Sequence, residues 1–218
     1  MILKNSFYNN DACEVARALL GKVIRRKYKN HWLAARIIET EAYYRSEKGS
    51  HSSLGKTDKR MAMFMPPGTI YMYYARGHDS LNISVKGEGN AVLLKSGLPF
   101  ADKLTSNKGF RVMQQLNPQN NGQPRALTRL CAGQTLLCRA LYLKVTHWDQ
   151  QLFDPNEFYI DDIAYHPEKI IQTTRLGIPD GRDEHRLYRF IDHQYAQYCT
   201  SNPLTKRKQP DYSIITRS

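Results

Sequence analysis

Residues 33–43 read Leu-Ala-Ala-Arg-Ile-Ile-Glu-Thr-Glu-Ala-Tyr, and their reading decides the class of fold. The run is mostly apolar, contains no Gly or Pro, and has the length of one long extended strand. A period of two places Glu39, Glu41 and Tyr43 on one face, and Ile38, Thr40 and Ala42 on the other. A strand of this kind needs partners. The flanking sequence supplies several candidates of similar character, separated by turn signals.

Upstream, Asp11 and Glu14 have capping-box spacing. Ala12, Val15, Ala16, Leu19 and Leu20 follow as a helical apolar stripe that Gly21 is placed to stop. A short strand at 23–25 and a basic hairpin loop at 26–30 lead into the long strand. Downstream, residues 44–60 are polar and irregular. The Pro66-Pro67-Gly68 turn opens a strand at 69–74 on which Thr69, Tyr71 and Tyr73 share a face. Strands at 81–85 and 91–94 flank the turn at 86–89. Residues 103–124 read as polar and turn-rich, and residues 127–143 carry helical spacing that Gly133 interrupts. Further short strands are predicted at 158–160, 170–174 and 187–191. The tail after Asp192, with its Lys206-Arg207-Lys208 run, has no legible pattern. These elements describe a single α+β domain over residues 1–218, dominated by antiparallel strands with helices at its margins.

Composition narrows the function. The 218 residues include 32 Lys and Arg against 20 Asp and Glu, a formal charge of +12. Such an excess favours a polyanion, because neutralising phosphates releases condensed counterions. No apolar run approaches a membrane span, and residues 1–10 carry no secretory pattern. Cys13, Cys131, Cys138 and Cys199 form no CxxC pair and the histidines no HExxH, so no metal site is expected. Reduced thiols in a cytoplasmic setting fit this usage.

Taken alone, Glu41 and Glu39 are open to two readings. A carboxylate on an aromatic strand face is a candidate general base, since partial burial moves its pKa toward working pH. Two solvated glutamates on an edge strand would give the same spacing. The Tyr71 and Tyr73 pair is similarly divided between stacking on nucleobases and packing in a core.

The segments at 37–43 (Ile-Ile-Glu-Thr-Glu-Ala-Tyr) and 63–73 (Met-Phe-Met-Pro-Pro-Gly-Thr-Ile-Tyr-Met-Tyr) decide between them. With Asn82-Ile83-Ser84 and Ala91-Val92-Leu93-Leu94, they resemble the 3-methyladenine DNA glycosylase family of the mammalian alkyladenine type. Residues 15–23 are similar to that family's opening helix, and 127–128, 137–141 and 175–178 carry weaker likeness. The resemblance implies a curved antiparallel sheet and a monofunctional glycosylase of base excision repair. Such an enzyme flips a damaged purine from double-stranded DNA and hydrolyses its N-glycosidic bond. It implies Glu41 as the water-activating base, an aromatic cage of Tyr43, His51 and Tyr73, and Asn82 as the residue that disfavours the amine of normal guanine. It also implies a monomer that needs water but no cofactor. By itself His51 would read as a solvated loop side chain.

Two positions depart from the family pattern. Arg76 stands where a tyrosine normally wedges into the duplex, and its planar guanidinium is expected to fill the same gap. Lys95 replaces the arginine that follows the Val-Leu-Leu run, keeping the charge beside Glu41 without the bidentate fork. These departures keep a catalytically silent damaged-DNA binder open as an alternative, and the charge and tyrosines alone also admit a basic RNA-binding protein.

Overall fold

A computed structural model describes residues 1–206 and 211–216. The chain starts with a single helical turn, α1 (Asn5–Tyr8), and then α2 (Ala12–Leu19). Asp11 caps α2 as its position predicts, accepting from the backbone N–H of Cys13 at 2.9 Å and Glu14 at 3.3 Å. Its buried stripe of Ala12, Val15, Ala16 and Leu19 packs on the sheet. Gly21 follows with φ +87°, a conformation that suits glycine because it has no Cβ.

Strand β1 (Val23–Tyr28) turns tightly into β2 (His31–Tyr43), so the 26–30 segment predicted as a loop is largely strand. The two Tyr-rich and Asn-containing strands β3 (Ile70–Ala75) and β4 (His78–Ser84) form a hairpin, and β5 (Ala91–Pro99) follows. Helices α3 (Asn107–Leu116), α4 (Gln134–Ala140) and α5 (Val145–Trp148) precede the short strands β6 (Phe158–Asp161), β7 (Lys169–Thr173), β8 (Arg189–Asp192) and β9 (Tyr212–Thr216). All the pairings are antiparallel. They run β3-β4-β5-β2-β8-β7-β9, with β1 on β2 and β6 on β1. The fold is therefore α+β, as the patterning predicts.

Strand β2 is the hub. One edge pairs with β5; the other pairs first with β1 and then, from Glu39 to Glu41, with β8. Against β5 the register slips twice. Ile37 pairs with Gly97, Glu39 with Ser96, and Thr40 with Leu94, which leaves Ile38 and Lys95 without direct partners. Such bulges break strict alternation and re-aim side chains. The consequence corrects the simple period-two reading: Ile38 does not share a face with Thr40 and Ala42. Ile37 and Ala42 lie in the main core, and Thr40 donates to the carbonyl of Ala16 in α2 at 2.8 Å. Ile38 packs with Ile171, Ile191, Ala196 and Cys199 instead.

Three other segments differ from their patterns. Residues 127–143 are not one helix: Leu127–Arg129 is a 3-10 turn, and α4 begins only after Gly133 at φ +108°. The polar 103–124 stretch contains α3, whose Gly109 and Met113 are buried. Phe110, Met113 and Leu116 lie at helical spacing and pack on the core, a short stripe among polar residues, and a Cβ at Gly109 would lie 2.8 Å from the Trp32 carbonyl. The tail after Asp192 holds a 3-10 turn, His193–Tyr198, and the edge strand β9. Arg207 and Lys208 of the basic run lie outside the described residues.

Gly21 gives a direct check on how α2 is joined to the sheet. An added Cβ would lie 2.3 Å from Cδ1 of Tyr165, on a backbone already at positive φ. Gly21→Ala is expected to destabilise the fold by about 1–3 kcal/mol, read as a lower urea midpoint with an unchanged m-value.

Candidate active site

The site is assembled by one lateral row across five strands. Tyr71 in β3 pairs with Asn82 in β4, Asn82 with Leu93 in β5, Leu93 with Glu41 in β2, and Glu41 with Arg189 in β8. Directly opposed residues project to the same face, so five sequence-distant side chains are placed side by side. This face opens into a cleft of about 870 Å³. Its walls include Tyr43, His51, Met63, Tyr71, Tyr73, Asn82, Leu93 and Lys95, with Arg76 at the rim.

Glu41 lies at the base of that row and is fully buried, as is Glu39, which removes the reading of both as solvated edge carboxylates. Glu41 Oε1 is 3.2 Å from the ammonium of Lys95 and accepts from the Leu176 N–H at 3.4 Å. Oε2 accepts from the Tyr43 hydroxyl at 2.7 Å. Lys95 reaches the carboxylate from the second bulge, where a regular ladder would have set it opposite Glu39. Burial pushes the Glu41 pKa up. The charge of Lys95, then that of Arg189, and the Tyr43 hydrogen bond outweigh it and leave the carboxyl below its ordinary value. The expectation that burial alone would raise it toward neutrality is therefore corrected: Glu41 is a buried group that stays ionised.

Tyr43 is held from behind. The guanidinium of Arg175 stacks 4.6 Å from its ring centroid, donates to the Ala42 carbonyl at 2.9 Å, and pairs with Glu47 at 2.7 Å. Burial, with Glu41 beside it, keeps the Tyr43 phenol well above its ordinary pKa, so it remains a donor. Tyr71 and Tyr73 stack at 5.5 Å with 23° between planes. His51, carried by the 3-10 turn His51–Leu54, meets Tyr73 edge-on at 4.4 Å, and its Nδ1 lies 3.1 Å from the Tyr71 hydroxyl. Burial, then Arg60 and Arg182, lower the His51 pKa, which favours a neutral ring. The Asn82 side chain donates to the Tyr71 carbonyl at 3.3 Å, which fixes its amide beneath the aromatic pair.

Arg76 occupies the tip of the β3–β4 hairpin, exposed, with φ +51° followed by Gly77 at +81°. Two positive-φ residues make the tight turn that matches strand twist. The sequence-predicted residues Tyr43, His51, Tyr73, Asn82 and Lys95 thus line one cleft that Arg76 borders, and Glu41 lies buried behind it against Tyr43 and Lys95. Tyr71, Arg175 and Arg189 join them. Tyr71 was legible from its shared face with Tyr73, and Arg175 lay in a weakly matching segment. Arg189 carried no sequence signal. Among the described residues no cluster of three or more His, Cys, Asp or Glu is arranged to hold a metal ion.

A family model described as methylpurine-DNA glycosylase matches residues 6–196. The chain belongs to the methylpurine-DNA glycosylase family. Relatives bearing the name "Putative 3-methyladenine DNA glycosylase" cover nearly all of it. One from Pseudomonas aeruginosa (strain LESB58) is 58% identical over 215 residues, spanning 98% of this chain and 90% of that protein. A Pseudomonas savastanoi pv. phaseolicola relative is 59% identical over 204 residues, 94% of this chain and 92% of its own. A more distant one from Clostridium botulinum is 34% identical over 188 residues, 82% and 88% respectively. Membership makes the chain a DNA glycosylase with DNA as its partner, in line with the resemblance and against a generic RNA-binding protein. No helix among the described residues is long and apolar enough to cross a membrane.

The Tyr43–Glu41 hydrogen bond carries a stability prediction with a definite sign. Losing it raises the folded-state pKa of Glu41, so the deficit is present above the unfolded-state pKa and fades as the carboxyl protonates in acid. Tyr43→Phe is expected to cost about 1.5–3 kcal/mol at neutral pH, with a smaller deficit in acid, by urea unfolding at both pH values.

Proposed function

We propose that this glycosylase removes alkylated purines, 3-methyladenine and 7-methylguanine foremost, with Glu41 activating the water. The observation that carries this reading is the buried, ionised carboxylate beneath a cleft of neutral aromatic rings. A purine alkylated at N3 or N7 carries positive charge, which binds electron-rich ring faces and makes the base a good leaving group. The flipped base stacks within Tyr43, His51, Tyr71 and Tyr73. Asn82, held by the Tyr71 carbonyl, crowds the exocyclic amine of normal guanine.

Hydrolysis then needs three events. The bond from C1′ to the base nitrogen breaks and its electron pair goes to the ring, which leaves neutral. A water oxygen bonds to C1′. Its proton passes to Glu41, whose negative charge also stabilises the oxocarbenium-like sugar. Lys95 and the Tyr43 hydroxyl hold the carboxylate in one orientation. Arg76 at the hairpin tip enters the duplex and stacks in the gap left by the flipped nucleotide. The same groups argue against a silent DNA binder, because the Lys95–Glu41 contact survives the exchange of arginine for lysine. We place the working form as a monomer acting on damaged duplex DNA in the cytoplasm.

Glu41→Gln is expected to abolish release of 3-methyladenine and 7-methylguanine while leaving affinity for damaged duplex nearly unchanged. Substantial residual turnover would contradict the role of Glu41. Arg76→Ala is expected to slow excision from duplex by about 10-fold or more, the scale of one lost stacking contact, and to leave single-stranded substrate little affected. Equal rates on duplex would remove the wedge assignment. Lys95→Ala tests the chemistry from the other side: borohydride is expected to trap no covalent adduct on abasic DNA with either the parent or the variant.

A further inference from the structure

Arg189 is fully buried in β8, directly across the register from Glu41. Its Nε and Nη2 both reach Glu39 Oε1, at 2.7 Å. Nη2 also donates to Thr200 Oγ1 at 3.0 Å and to the Ser201 carbonyl at 2.9 Å. Glu39 in turn accepts from Ser96 Oγ at 2.5 Å and from the Thr200 N–H and hydroxyl at 3.1 and 2.6 Å. The guanidinium is therefore clamped, yet its Nη1 is buried with no hydrogen-bond partner.

A structural ion pair alone does not account for this arrangement. A buried charge pair is often matched or exceeded in stability by well-packed apolar side chains of similar volume, and here one N–H is left unmatched as well. What the arginine provides that a Met or Leu would not is a positive charge that cannot move, one strand away from Glu41. Lys95 differs in kind: it lines the open cleft and reaches Glu41 on a flexible four-carbon stem.

We propose that Arg189 is a positioning residue for base release: locked by Glu39, Thr200 and Ser201, it is the fixed countercharge that complements Lys95 at the Glu41 carboxylate. This rests on Glu41 being the water-activating base. The other groups facing Glu41 are Lys95 from β5, the Tyr43 hydroxyl and Glu39 on its own strand, the Leu176 N–H after β7, and the Tyr73 phenol from β3. Arg175 stacks on Tyr43, which donates to Glu41. Of these, Glu39 alone carries a second negative charge, and Arg189, opposite Glu41 in the register, pairs directly with Glu39.

The test is the pH profile of single-turnover 7-methylguanine release from duplex at saturating enzyme, which reports ionisations of the bound complex. Arg189→Gln is expected to move the acid limb up by about one pH unit or more, and Arg189→Lys to return it close to the parent. Glu39→Gln breaks the same buried pair but removes a negative charge, so its limb should lie below that of the parent. Both neutralising variants will lower Tm. A merely structural role predicts that loss with no movement of either limb. An Arg189→Gln limb coincident with the parent, or a Glu39→Gln limb at or above it, would overturn the proposal. If Arg189→Gln does not fold, Glu39→Gln and Arg189→Lys still decide it. Failure of the parent enzyme to release 7-methylguanine at all would instead overturn the proposed reaction.

Discussion

A carboxylate taken wholly out of water keeps its charge only where fixed partners replace its hydration, and Glu41 imposes that requirement on the centre of this fold. Its oxygens are satisfied by Lys95, Tyr43 and a backbone N–H, and the field of Arg189 adds to theirs. Each partner has its own support. Arg175 stacks on Tyr43 and is itself paired with Glu47, while Arg189 is held by Glu39 and the chain at Thr200 and Ser201. Removing one member of such a network leaves an uncompensated charge, which is why the supports are buried salt bridges and not loosely held surface ones.

The sheet makes the network geometrically simple. Because β2 pairs on one edge with β5 and on the other with β8, a single row of opposed residues runs from Tyr71 to Arg189. In the proposed reaction, the aromatic end of the row receives the base and the charged end handles the sugar. The bulge at Lys95 places an ammonium over Glu41 that a regular ladder would have set opposite Glu39. The other bulge, at Ile38, lets one strand face the main core through Ile37 and Ala42 and still serve a second cluster around Ile171 and Ile191. A strict two-residue period could not satisfy both.

What was legible before the structure follows from which residues carry local patterns. The α2 stripe with its Asp11 cap and Gly21 stop, the β2 run, and the strands flanking the 86–89 turn are decided by neighbours a few positions away. Tyr43, Tyr73, Asn82 and Lys95 entered through motif likeness, and pairing brings them together. Local pattern failed where long-range contact replaces it. Helix α3 has only a short stripe, Phe110, Met113 and Leu116, set among polar residues, and its close packing of Gly109 on the Trp32 backbone is a long-range contact. Gly133 at φ +108° cuts short a helix whose leucine spacing runs on. Arg189 reads as an ordinary charged residue at a strand start, because its meaning depends on Glu39 and Glu41, which lie some 150 positions away in sequence. The ionisation of Glu41 was misjudged for the same reason: burial was foreseeable, the second cation was not.

The central claim is that Glu41 is buried and ionised together, and the most direct measurement is a carbon-13 NMR titration of its side-chain carboxyl. Its resonance is assigned by its absence in Glu41→Gln. The account predicts a titration midpoint below that of a free glutamate, with the carboxylate charged throughout the neutral range. A midpoint at or above the ordinary glutamate value would contradict it.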